Sequence, residues 1–183
     1  MDIILTVVTI VAILLALILV LAAFISRDYV IHRAAHINAP REEVFDFIRY
    51  LRNQELYSKW VMADPDMKRT FYGTDGAPGF VYAWEGDDKA GKGEQEIMAI
   101  RENESIDIEV RFERPFKGIA AVNMTTTDAP RGRTRVSWSM SGTNPYPLNA
   151  LHLLFRGALG RDMETSLENL REILEKQPAR HAD

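Results

Sequence analysis

The sequence contains no cysteine, and this absence removes several kinds of chemistry at once. Disulfide bonds, thiolate metal sites and cysteine nucleophiles are all excluded. The absence suits a reducing compartment, although many exported bacterial domains also lack cysteine. A chain of 183 residues has room for one domain with a core of ordinary size.

A concentrated block of basic charge is also missing. The chain has 22 lysines and arginines against 26 acidic residues, which gives a net charge of −4. Because a nucleic-acid-binding domain needs a basic face, we predict no nucleic-acid partner. The pattern G-x-S-x-G is absent as well, so serine hydrolase chemistry has no support.

Charge is absent from the first part of the chain. Residues Ile3 to Ile25 include no charged residue, glycine, proline or amide. At about 1.5 Å per residue, a helix of this length can cross a hydrocarbon core of about 30 Å. The alternative is a cleaved signal peptide, with a marginal cleavage pattern at residues 20–22. No basic residue precedes the run, and it is longer than a normal signal core, so we predict an uncleaved anchor over residues 1–27.

The basic residues next to this run predict its orientation. Arg27, Arg33 and Arg41 follow the run and none precedes it. The positive-inside tendency therefore predicts a single-pass membrane protein whose soluble domain lies in the cytoplasm. We assign that domain to residues 28–177 and a flexible tail to residues 178–183.

The soluble part changes periodicity twice. A first strand (Tyr29–Asn38) is followed by a helix that begins after Asn38-Ala-Pro and by a short helix over Asn53–Trp60. Six further stretches have twofold periodicity. The clearest is "IDIEVRFERPF", in which the apolar residues Ile106, Ile108, Val110 and Phe112 share one face.

Helical periodicity returns after Asn144-Pro-Tyr-Pro and lasts to about Lys176. Leucine and other apolar residues recur there at intervals of three and four and form one stripe. The order predicts an α+β domain in which a curved, seven-stranded antiparallel sheet carries two short helices, with a long C-terminal helix over its concave face.

Three stretches of sequence resemble a known superfamily. They are "INAPREEVFDFI" (37–48), "GTDGAPGFVYAWEGDDKAGKGEQEI" (73–97) and "GRDMETSLENLREILEK" (160–176). With the order of elements, they resemble the START-like (SRPBCC, helix-grip) superfamily, in particular its polyketide cyclase/dehydrase-type members with an N-terminal membrane span. The resemblance covers nearly all of residues 29–176. It implies a cavity between the sheet and the last helix that holds an apolar or aromatic ligand.

The last helix contains small residues where such a cavity would lie. Gly157 and Gly160 each cost a helix about 1 kcal/mol relative to alanine. Either they allow a close approach to the sheet or space for a ligand, or they are simple packing adjustments.

Candidate ligand-binding residues follow from position, because the superfamily has no catalytic motif common to all its members. Large side chains on inward-facing positions either fill the core or line a pocket. Polar candidates on strand 6 and in the last helix would lie beside the pocket or in water. The predicted ligand-binding set is Trp60, Tyr82, Trp84, Asn123, Trp138, Met140, His152, Phe155, Arg156 and Leu159.

No cofactor is predicted, and a metal site is rejected. His32 and His36 have a metal-like spacing only in a helix, and they lie in a predicted strand without a third ligand. Catalytic residues are unknown, and Tyr82, His152 and Arg156 are the only titratable candidates.

Three functions fit this sequence. The first is a membrane-anchored domain that binds a hydrophobic small molecule or lipid, which a tether would keep near the bilayer. The second is an enzyme of the cyclase/dehydratase type, which needs a titratable group deep in the cavity. The third is a chaperone-like or stress-related interaction domain whose cavity is filled by side chains.

The stretch "EGDDKAGKGE" (85–94) resembles a phosphate-binding loop, G-x-x-x-x-G-K. Such a loop needs a helix that begins at its lysine, whereas a strand is predicted to follow here. Gly93 replaces the magnesium-binding hydroxyl residue, and Asp87 and Asp88 would repel phosphate. The stretch is therefore predicted to be a hairpin connection.

We expect no binding of ATP or GTP to the full chain in equilibrium dialysis, because no helix N-terminus faces the loop. Tight nucleotide binding that disappears in Lys92→Ala would contradict this interpretation.

Overall fold

The computed structural model describes residues 2–176; the predicted tail at 178–183 lies outside them. An apolar helix comes first, then one strand, two short helices, six strands and a long helix, as predicted. Their bounds are α1 (Asp2–Phe24), β1 (Asp28–Ile37), α2 (Arg41–Ile48), α3 (Gln54–Tyr57), β2 (Lys68–Tyr72), β3 (Val81–Glu85), β4 (Lys92–Arg101), β5 (Ser105–Arg114), β6 (Gly118–Ala129), β7 (Arg133–Thr143) and α4 (His152–Lys176).

The seven strands form one curved sheet in which every neighbouring pair is antiparallel. Their order is β1-β7-β6-β5-β4-β3-β2, so β1 closes one edge beside the last strand. This confirms the predicted α+β class and the seven-stranded sheet. Because neighbouring strands are antiparallel, the start of β1, the end of β7, the start of β6 and the end of β5 all lie at the same end of the sheet.

The alternation predicted for β5 is confirmed. Ile106, Ile108 and Val110 are buried on the concave face. On the convex face Arg111 is within 2.7 Å of Glu94 and 2.6 Å of both Glu96 and Glu109. These contacts raise the pKa of Arg111 above its usual range, so the guanidinium stays charged.

The long helix α4 covers the sheet in two different ways. Its second half is packed tightly, and the side chains buried there are Met163, Leu167, Leu170 and Leu174. Its first half is more open, since Phe155 is 54% exposed and Leu159 is only partly buried. The predicted apolar stripe is therefore divided between a solid core and a more open region.

The two glycines of α4 have different environments. A Cβ atom on Gly160 would collide with the guanidinium of Arg33, which crosses the helix to reach Glu164 at 2.5 Å. A Cβ atom on Gly157 would meet only the end of Arg161, at 3.6 Å. Gly160 thus allows a close approach of β1, whereas Gly157 lies in open space.

The end of α1 is attached to the domain by one buried amide. Asn149 is 1% exposed, and its Nδ2 atom donates hydrogen bonds to the carbonyls of Ala22 at 2.6 Å and Ile25 at 2.9 Å. Carbonyls at a helix C-terminus have no partner within the helix, so Asn149 supplies what they lack. Ala22 is buried by the same contact, at 2% exposure.

The glycine pair in α4 gives a test of this packing. Gly157→Ala should raise the free energy of unfolding by about 0.5–1 kcal/mol, because helix propensity improves at no steric cost. Gly160→Ala should lose that gain, because the new methyl group displaces Arg33 from Glu164. Chemical denaturation of the full chain in mild detergent measures both values, and equal gains would contradict the role assigned to Gly160.

Candidate functional site

A cavity of about 640 Å³ lies between the concave face of the sheet and the first half of α4. Its walls are mainly apolar and aromatic. All three tryptophans of the chain line it. Eight of the ten predicted ligand-binding residues line this cavity: Trp60, Tyr82, Trp84, Trp138, Met140, Phe155, Arg156 and Leu159.

The other two predicted ligand-binding residues are Asn123 and His152. Asn123 lies between the buried residues Val122 and Met124 of β6, so it points to the opposite, convex face. Its Nδ2 atom donates to Asp107 Oδ1 at 2.6 Å. The expectation that Asn123 borders the cavity is therefore corrected by the parity of β6. The side chain of His152 lies outside the described residues.

The position of Trp84 depends on residues 85–94, which we call the glycine-lysine loop. Its indole Nε1 donates to the carbonyl of Ala90 at 3.1 Å, and its ring meets Phe112 edge to face at 6.1 Å. Gly93 of β4 pairs with Trp84, and a Cβ atom on Gly93 would lie 2.8 Å from the indole ring. Gly93 therefore makes room for the indole that forms this wall of the cavity.

The loop itself is a hairpin connection, as predicted, between β3 and β4. Asp87 Oδ1 accepts hydrogen bonds from the backbone amides of Lys89 and Ala90, both at 2.8 Å. These bonds lower the pKa of Asp87. Gly91 has a φ of 67°, a conformation that suits glycine.

Trp138 and Trp60 form the wall beneath α4. Their rings meet edge to face at 5.7 Å, and Trp60 Nε1 donates to Asp162 Oδ2 at 3.1 Å. Asp162 also pairs with Lys59 at 2.5 Å, so α4 is tied to this corner of the cavity. Trp138 Nε1 and the Tyr57 hydroxyl are buried without a hydrogen-bond partner among the described residues.

Two glutamines add a polar group to the otherwise apolar interior. Gln54 of α3 and Gln95 of β4 are 6% and 7% exposed, and both line the cavity. Each amide donates to the other's carbonyl oxygen, at 3.3 Å and 2.9 Å. Since each carboxamide has two N–H donors and an oxygen with two lone pairs, the pair keeps capacity for a further partner.

Neither Gln54 nor Gln95 is among the residues predicted from the sequence to bind a ligand. Gln95 shares the inward parity of Ile97 in β4, and a polar residue at an inward position was the available signal. Gln54 had no comparable signal, because the helix that carries it is only one turn long.

A second polar group surrounds the Tyr82 hydroxyl. Tyr82 Oη accepts from Arg69 Nε at 3.1 Å and donates to Glu55 Oε1 at 3.5 Å. Burial, and to a smaller extent the negative charge of Glu55, raise the pKa of Tyr82 to about 12 against the opposing effect of Arg69. The phenol is therefore neutral at physiological pH, where it donates a hydrogen bond and does not act as a base.

This arrangement of a curved sheet, a long covering helix and an apolar cavity between them defines a helix-grip protein. The chain belongs to the family described as polyketide cyclase / dehydrase and lipid transport, which its residues 30–175 match. No curated protein matches the chain.

Solved structures share the fold at low sequence identity. A protein from Mesorhizobium loti is 18% identical, with a TM-score of 0.62 over 82% of this chain and 99% of that one. The di-domain ARO/CYC BexL from the BE-7585A biosynthetic pathway is 15% identical, with a TM-score of 0.60 over 83% of this chain and 52% of that one. Ara h 8.0201 is 16% identical, with a TM-score of 0.53 over 78% of this chain and 98% of that one.

The raised pKa of Tyr82 predicts a loss of stability in alkali. The unfolded phenol ionises near its usual pKa of 10.0, while the folded one keeps its proton up to about 12. Tyr82 therefore contributes stability that is complete below about pH 10 and falls as the pH rises toward 12. Tyr82→Phe should remove this part of the pH dependence.

The measurement compares the free energy of unfolding of the wild type and of Tyr82→Phe across this range. Their difference should be constant between about pH 7 and 9 and should shrink above about pH 10. A difference that stays constant at all pH values would show that Tyr82 has no raised pKa.

Proposed function

We propose that this protein is held in a membrane by α1 and binds a hydrophobic small molecule or lipid in the cavity between the sheet and α4. The observation that carries the proposal is the cavity of about 640 Å³ whose walls include all three tryptophans. A site of this size with mainly apolar walls and a few placed polar groups suits a ligand of the same character. Membership of a family described by lipid transport supports the same function.

The polar groups of the cavity limit the ligand further. The amides of Gln54 and Gln95 are neutral, and the Tyr82 phenol keeps its proton. Arg69 and Glu55, which hold the phenol, are not among the residues that line the cavity, so neither position presents a charge to a ligand. We infer a mainly apolar ligand whose polar atoms are uncharged donors or acceptors, such as a carbonyl or a hydroxyl.

Membrane attachment rests on the character of α1. Residues Ile3–Phe24 form a helix long and apolar enough to cross a bilayer, with a mean hydropathy of 3.4, and among residues 3–24 only Ala22, near the end of the helix, is buried. A signal sequence has the same character. The buried contact of Asn149 with Ala22 and Ile25 favours a retained helix, because cleavage after residue 22 would separate the Ala22 carbonyl from the buried Asn149 amide. A cytoplasmic domain remains our proposal from the flanking arginines.

An enzyme of the polyketide cyclase/dehydrase type is the second candidate function, and the family includes that activity in its description. The observation in its favour is the protonated Tyr82 hydroxyl on the cavity wall between Arg69 and Glu55. The single proton of this neutral phenol would be donated to a substrate carbonyl oxygen if the hydroxyl turned away from Glu55, which accepts it at 3.5 Å. An interaction domain with a filled interior is less well supported, because the interior is open.

Filling the cavity tests the binding function. Ala158 lines the cavity, so Ala158→Trp should place an indole where the ligand would lie and should lower ligand occupancy several-fold. Native mass spectrometry of the full chain released from detergent measures how much apolar ligand co-purifies.

The matched control is Ala121→Trp, on the exposed convex face of β6. It should carry as much ligand as the wild type, and circular dichroism should show both variants folded. If Ala158→Trp carries the same ligand at the same occupancy as the wild type, the ligand does not occupy this cavity.

A further inference from the structure

The mouth of the cavity and the end of α1 lie at the same end of the sheet, where β1 begins and β7 ends. Asp28, at the start of β1, pairs with Thr143 at the end of β7, and Asn144 N donates to the Arg27 carbonyl at 2.9 Å. The segment that follows β7 supplies Asn144, Pro145 and Leu148 to the cavity lining. One short segment therefore both borders the cavity and adjoins the apolar helix.

The same segment reaches along α1. Tyr146 Oη donates to the carbonyl of Leu19 at 3.4 Å. Leu19 precedes the last helical residue, Phe24, by five positions, which is about 7.5 Å along the helix axis. If α1 spans a bilayer, Tyr146 lies at the depth of the polar headgroups, where tyrosine is enriched in membrane proteins.

Large apolar side chains are exposed around this mouth. Phe116, Leu148 and Phe155 line the cavity and are 64%, 40% and 54% exposed. The turns at the opposite end of the sheet, 102–104 and 130–132, contain no large apolar residue. A group of large exposed apolar side chains around the mouth of a cavity indicates a surface that is covered in use.

The charges at the mouth are mostly positive, although the chain as a whole is acidic. The charged residues that line the cavity are Lys89, Arg114, Lys117, Arg156 and Asp162. Asp162 is paired with Lys59, and Arg114 lies 3.6 Å from Glu85. Among the ion pairs of residues 2–176, none involves Lys89, Lys117 or Arg156.

We propose that the rim formed by Phe116, Leu148 and Phe155 docks onto the bilayer that holds α1, with Lys117 and Arg156 facing anionic headgroups. This inference rests on the proposed membrane attachment and adds where the cavity opens. Asn149 fixes the joint between α1 and the domain, so the mouth is held at the membrane surface and does not swing on a linker. An apolar ligand then passes between bilayer and cavity without crossing water.

The absence of native cysteine allows a direct test. The full chain is given a single cysteine by Phe116→Cys at the rim or Glu104→Cys at the opposite end of the sheet, and each is labelled with an environment-sensitive nitrobenzoxadiazole dye. Both proteins are reconstituted into vesicles of phosphatidylcholine alone or with about one third phosphatidylserine, with spin-labelled lipid as the quencher. The dye at residue 116 should be blue-shifted and quenched several-fold more strongly than the dye at residue 104.

The attraction of Lys117 and Arg156 to anionic headgroups is tested by lipid composition and by a double variant. Quenching at residue 116 should be stronger with phosphatidylserine, because basic residues are attracted to an anionic surface. Lys117→Glu combined with Arg156→Glu should abolish that difference while the protein stays folded and bound to the vesicles. Equal quenching of the wild type in both lipid mixtures would overturn the assignment to anionic headgroups.

The outcomes separate this inference from the proposed function. Equal exposure of the two dyes to water, in protein that stays on the vesicles and yields ligand on extraction, would overturn the docking surface and leave ligand binding intact. Protein that is removed from the vesicles by alkaline carbonate would overturn membrane anchoring, and the docking proposal with it.

Discussion

The contact between α4 and the sheet changes character near Gly160, and the cavity exists because of that change. Beyond Gly160 the helix buries a continuous row of apolar side chains, from Met163 to Leu174. Before it, Trp60 and Trp138 stand between helix and sheet, and the hydrogen bond from Trp60 to Asp162 ties the helix to this corner. The helix is held at this corner by that contact, and the cavity lies beneath its first half.

The glycine-lysine loop illustrates how one sequence pattern serves a different purpose in another setting. A phosphate loop uses glycines so that a backbone can approach an anion closely. Here Gly93 admits the Trp84 ring, and Asp87 holds the turn through the amides of Lys89 and Ala90. The same lack of side chains thus shapes an apolar wall.

Secondary structure and facing were largely predictable from the sequence. Twofold alternation assigned Tyr82, Trp138 and Met140 to the concave face, where they line the cavity. Asn123 was predicted to bind a ligand in the cavity, whereas its position in the alternation of β6 puts it beside Asp107 on the convex face. Gln54 and Gln95 were missed because they are 41 residues apart, and neither shows its partner in local sequence.

The sequence by itself determined the order of elements, the face of each strand and the family, because these depend on local periodicity and short motifs. Only the tertiary structure decided how far α4 lies from the sheet and which polar groups meet inside. It also decided that Asn149 meets the end of α1 across 127 residues. Periodicity specifies the direction of a side chain, whereas the distance between elements depends on how side chains from distant segments fit together.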